Sequence, residues 1–145
     1  MTKYLAIDPG RSKCGLVFAD KELKIISNAN LIKSIFLKEY VKRTILKFPE
    51  TQIIIGNGTS SKEHIHDLNS LRQELIVCDE RNTTLRAKER YFELYPLKGI
   101  KKFFPKEIFL LNINLDPISA LIILEDFCNL KFDFAKDIET KTWQK

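Results

Sequence analysis

Three acids, Asp8, Glu80 and Asp116, stand where hydrophobic runs stop or start. Leu5-Ala6-Ile7 ends on Asp8, turns through Pro9-Gly10 and re-enters an apolar run at Gly15; Leu75 to Cys78 stops just before Glu80; Asp116 opens the run from Ile118 to Phe127. Runs of this kind become strands and helices, so acids at their ends can converge from distant parts of a chain. Converging carboxylates are how a protein holds Mg²⁺ or Mn²⁺ against a phosphate. The chemistry these residues point to is metal-dependent phosphoryl transfer.

Each acid also has a plainer use. Asp-Pro-Gly is an ordinary turn sequence, although Gly10 and Gly15 admit close approach of a ligand and Lys13 between them suits a phosphate. The same pattern occurs in phosphate loops of actin-like ATPases, a class that needs two such domains around its nucleotide. Asp79 and Glu80 precede a helix, where acids favour the macrodipole. Asp116-Pro117 is the favoured opening of a helix, Asp as cap and Pro at the first position. His64 and His66 lie two apart, which on a helix points them to different faces; exposed polar residues are expected there, not a metal pair.

The net charge is +5, and it is concentrated: residues 81–106 carry 8 basic and 2 acidic side chains, against 12 and 10 over residues 1–80 and 4 and 7 over residues 107–145. Such a segment is the footprint of a nucleic-acid binder, or of a solvated helix face and loop. Arg81 and Arg86 lie at the helix start, and Lys98, Lys101, Lys102 and Lys106 surround Phe103 and Phe104. Cations mixed with aromatics serve a backbone-tracking groove with base stacking, or else a loop anchored by its rings with the lysines wet.

The 145 residues, 44% hydrophobic and 30% charged, predict one globular domain over 1–145. No apolar run reaches the ~18 residues of a membrane span, and the strand pattern begins too soon after Met1 for a signal peptide, so a cytoplasmic protein without a membrane partner is expected. Cys14, Cys78 and Cys128, odd in number and set in apolar stretches, read as reduced core residues.

Strands are predicted over 3–8 and 14–19 and, briefly, near 24–27, as an antiparallel meander. An amphipathic helix over 35–48 stops at Pro49. A buried strand over 52–56, a short helix over 61–72, a strand over 75–78 and a helix over 83–94 capped by Asn82 or Thr83 follow. Residues 95–115 form a long connection, a length often tied to function. A last helix runs from Asp116 to about Leu130, and 131–145 is expected to dock or to fray as a flexible tail. The two later strands, each reached through a helix, imply parallel crossovers. The predicted fold is α/β: a five-stranded mixed sheet, three antiparallel strands then two parallel ones, with helices on both faces.

The segments Leu5 to Phe18, Cys78 to Ala87 and Leu115 to Phe127 resemble the YqgF-type family of pre-16S ribosomal RNA nucleases, also described as Holliday junction resolvase-like, which have an RNase H-like fold. Asp-Glu-Arg-x-Thr-Thr and an Asp opening a helix of the form Ala-x-Ile-Ile-Leu-Glu carry the likeness, and the stretch from Thr84 to Pro96 looks most like cyanobacterial members. The resemblance implies Asp8, Glu80 and Asp116 as catalytic acids binding Mg²⁺ or Mn²⁺ in a two-metal nuclease. It implies processing of the 5′ end of pre-16S ribosomal RNA. The charge distribution, for its part, places Lys13, Arg81, Arg86, Lys98, Lys101, Lys102 and Lys106 on the nucleic acid, and a monomer or weak homodimer is expected. The chain departs from the family at Gly56-Asn57-Gly58-Thr59, where Gly-Leu-Pro is usual, and at Pro117, where a second Asp is common. Junction resolvases carry a further acid at the position of Ser119. The rival readings are a junction resolvase cutting structured DNA as a dimer, and an RNA-binding assembly factor that never cleaves.

Overall fold

Leu5, Ala6 and Ile7 are buried on both sides, as a run without polar alternation requires, and lie at the middle of a mixed sheet in the computed structural model, which describes residues 2–145. Strands β1 (Lys3–Asp8), β2 (Lys13–Asp20) and β3 (Ile25–Lys33) form the antiparallel meander; β4 (Thr51–Gly56) runs parallel to β1 and β5 (Leu75–Cys78) parallel to β4. This much matches the expected pairing. The sheet nevertheless has six strands, not five, in the order β5-β4-β1-β2-β3-β6. The extra strand, β6 (Asp133–Phe134), is two residues held by backbone bonds, Asp133 N–H to the Lys24 carbonyl and Ala135 N–H to that of Ile26. β3 is also longer than its sequence suggests. Asn28 and Asn30 interrupt its apolar pattern yet stay in register, and a bulge between Phe18 and Ala19 absorbs the extra residue.

Alternate strand residues feed two cores. Tyr4, Ala6, Val17, Ala19 and Ile54 face α3 (Thr83–Leu94) and α4 (Asp116–Cys128); Leu5, Ile7, Leu16, Ile53 and Ile55 face α1 (Leu37–Lys47) and α2 (Ser61–Asn69). Helices therefore cover both faces. α4 is buried continuously from Pro117 to Glu125, which explains why its apolar residues run round its circumference. The connection between α3 and α4 holds two short 3₁₀ turns, Gly99–Phe103 and Lys106–Leu110.

Residues 131–145 dock. Phe132 and Trp143 are fully buried, the Trp143 indole donates to the Ala29 carbonyl at 3.2 Å, and Ile113 bridges Gln144. A buried ion pair helps to hold this end: Arg90 of α3 donates to Glu125 of α4 at 2.8 Å and to the Phe132 carbonyl, while Glu125 accepts the Phe132 N–H at 2.9 Å. All three cysteines are free. Among the described residues no helix is long and apolar enough to cross a membrane.

Candidate metal and nucleic-acid site

Asp8 ends β1, where its register partner is Gly15 of β2. A Cβ on Gly15 would lie 2.0 Å from the Asp116 carbonyl oxygen and 2.6 Å from the Pro117 nitrogen. The absent side chain lets the start of α4 abut β2 and carries Asp116 toward Asp8. Glu80 follows β5, and since β5, β4 and β1 are parallel their carboxyl ends share one edge. That edge is where open α/β sheets bind ligands.

The Gly56-Asn57-Gly58 loop is the mould for Glu80. A Cβ on Gly56 would stand 1.9 Å from Glu80 Oε1, and one on Gly58 2.8 Å from Oε2. Asn57 fastens the same segment three ways: its N–H donates to the Cys78 carbonyl at 2.9 Å, its Nδ2 to Asp79 at 2.6 Å, and its Oδ1 accepts the Glu80 N–H at 3.0 Å. The loop that follows β4 thus acts directly on the Glu80 carboxylate.

The three acids are electrostatic neighbours. Burial first, then the charges of Glu80 and Asp116 and a hydrogen bond with Glu80, push the Asp8 carboxyl up to about 8. Glu80 is raised by burial, opposed by hydrogen bonds from Asp8 and the Gly58 backbone, with the Asp116 charge raising it further. Asp116 is raised by burial, opposed by Asn114 and by the Lys13 charge. Glu80 Oε1 is buried with no donor.

Asp116 is not the cap its local sequence suggests. Leu115 holds the cap position, no side chain caps the helix end, and the Asp116 N–H donates to Asn114 Oδ1 at 2.9 Å. Its carboxylate is not spent on capping the helix end. Asn82 likewise precedes α3 in the left-handed region, φ 51°, without a capping side-chain bond.

Three hard oxygen donors, one of them orphaned in a buried setting, fit a hard divalent cation. They are not a closed ligand set: among the described residues no three His, Cys, Asp or Glu side chains gather tightly enough to hold an ion as they stand. Ser119, one turn into α4, is buried and brings no fourth acid.

The cationic positions divide. Lys13 is exposed beside Asp116, and Arg81 is exposed one residue after Glu80. Arg86 belongs elsewhere: its guanidinium grips Asp126 at 2.5 and 2.7 Å, pairing α3 with α4, so it is withdrawn from the nucleic-acid set. Lys98, Lys101, Lys102 and Lys106 are exposed on the connection beyond α3. Lys98, Lys101 and Lys106 gather instead against the last turns of α3, beside Tyr91, Phe92 and Tyr95.

His64 is half-buried rather than exposed. Its Nε2 lies 2.8 Å from the Gly10 carbonyl, which also accepts from Ser34 Oγ at 2.9 Å, so α2 and the 3₁₀ turn Ser34–Phe36 that precedes α1 clamp the turn after Asp8. No local pattern announces a contact 54 residues apart.

No protein-family model matches this sequence, and no curated protein is detectably similar to it. Among solved structures the chain is similar to T. thermophilus RuvC in complex with a Holliday junction substrate, at 11% identity over 91% of this chain and 99% of that one, with a TM-score of 0.46.

Proposed function

We propose that this chain is an RNase H-like nuclease that hydrolyses RNA phosphodiesters with divalent cations, and that its substrate is the 5′ end of pre-16S ribosomal RNA. The observation that supports the reading is the charge coupling of Asp8 to Glu80 and Asp116 at the carboxyl edge of the sheet, with one Glu80 oxygen buried and undonated and the Asp8 carboxyl raised to about 8. Clustered acids in a partly dry setting are poised for a cation. Asp8, Glu80 and Asp116 would hold one or two Mg²⁺ or Mn²⁺ ions, which when bound neutralise charge on the attacked phosphate and activate water. Gly56, Gly58 and Asn57 hold Glu80 in place, and the His64 and Ser34 clamp does the same for the Asp8 turn. Lys13 offsets phosphate charge, and Arg81 with the lysines of the connection binds the strand backbone.

The test is Mg²⁺- or Mn²⁺-dependent cleavage by the wild type and Asp8→Asn of single-stranded RNA, a ribosomal precursor stem with its flanks, and a four-way DNA junction. Metal-dependent RNA cutting lost in the variant is the expected result. Cutting of the junction alone makes the chain a DNA resolvase, and binding without cleavage by either protein makes it an assembly factor.

A further inference from the structure

Away from the acids, the last turns of α3 and the connection beyond it line an open cavity of about 420 Å³. Its walls are rings: Tyr91 and Tyr95, centroids 5.0 Å apart, Phe92 edge-on to Tyr91 at 5.3 Å, and Phe109 from the connection. Tyr95 is backed by Phe134 and Trp143, at 6.3 and 6.5 Å, so this wall is braced against the core. The charged side chains lining it are Lys98 and Lys101, and no described acid lines it. Lys106 adds a third cation, its Nζ 5.5 Å from the Phe92 centroid. Glu93, on the same stretch of α3, is already engaged by Arg90 and Lys131.

Aromatic faces beside free lysines match a base joined to a phosphate. A paired base offers no free face, since its neighbours in the duplex are stacked on it. We propose that this cavity takes one unpaired nucleotide of a nucleic-acid strand, its base on the rings and its phosphate met by Lys98 and Lys101. The inference rests on the nuclease reading for its context and deepens it: with α3 about 18 Å long, the occupant lies several nucleotides from the acids. The substrate class is a strand with a single-stranded flank.

Binding is measured by fluorescence anisotropy in EDTA, where cleavage plays no part, on a short RNA, the DNA of the same sequence, the same RNA as a blunt duplex, and AMP as competitor. Both single strands should bind more tightly than the duplex, and the tighter of the two names the sugar the site prefers. Phe92→Leu should weaken single-strand binding about 5- to 150-fold and leave duplex binding unchanged. Lys101→Ala, at an exposed position that cannot unfold the chain, should weaken it in the same direction. Equal affinity for strand and duplex, or unchanged binding by both variants, overturns the pocket; displacement by AMP at oligonucleotide-like concentrations overturns the strand as its occupant. Cleavage with normal binding by Phe92→Leu and Lys101→Ala removes the pocket alone. Strand binding with these losses but no cleavage of any substrate removes the nuclease and keeps the pocket.

Discussion

Gly15 faces the backbone of Asp116 with no room for a methyl group, its virtual Cβ only 2.0 Å from the Asp116 carbonyl oxygen. Because Gly15 is also the register partner of Asp8, one missing side chain sets how deeply α4 docks and how near two acids come. Gly15→Ala should cost about 1–3 kcal/mol, as overpacking does, and should abolish most metal-dependent cleavage. Thermal melts and cleavage rates check both; normal cleavage would show that the spacing does not matter.

The raised Asp8 carboxyl has a pH signature. Its proton affinity moves from 3.8 to about 8 on folding, so between those values the folded state binds more protons than the unfolded one and stability falls as pH rises. The contribution is whole below about pH 4 and lost above about pH 8. Asp8→Asn removes this titration and should be roughly 0.5–2 kcal/mol more stable than the wild type at pH 8, the gap closing toward pH 4. Urea unfolding at the two pH values decides it, and a gap that does not change with pH counts against the assignment.

Cation binding should register as stability without any substrate. At a hundredfold excess over Kd, Mg²⁺ or Mn²⁺ would stabilise the fold by about 2.7 kcal/mol. The rise in melting temperature should vanish in the Asp8→Asn, Glu80→Gln double variant. A rise of the same size in both proteins would place the cation elsewhere.

The Arg90–Glu125 pair is buried on both sides and tied to the Phe132 backbone. Arg90→Met leaves Glu125 unpaired in the interior and should cost roughly 3–5 kcal/mol. Adding Glu125→Leu should recover a large part of that loss. A loss below 1 kcal/mol in urea unfolding would mean that water reaches the pair.

What was legible in the sequence follows from how local each cause is. Helix α3 begins at Thr83 and ends at Leu94 as expected, because Pro96 and the periodicity act within one segment. The positions of Asp8, Glu80 and Asp116 at element ends were readable because the apolar runs stop or start beside them. The devices that bring them together were not: Gly15, Gly56 and Gly58 act through an absent side chain, whose value depends on Asp116 or Glu80 arriving from another part of the fold. Charge counting placed Arg86 on the nucleic acid because its partner Asp126 lies 40 residues on. Helical spacing correctly separated His64 from His66, yet it carries no information about the loop that His64 meets. β6 has no signature at all, being two residues that exist only because β3 offers an open edge.

Asp116 is the last of the three acids to leave the ribosome, and it opens the helix whose burial from Pro117 to Glu125 completes one of the two cores. A nascent chain that has already emerged past Asp8 and Glu80 has neither the finished interior nor the third carboxylate. Completion of that core and arrival of the third acid at the charged edge therefore both wait on the same helix. Proteolysis that removes this helix should leave no folded remnant, because the core on that face of the sheet loses its central layer.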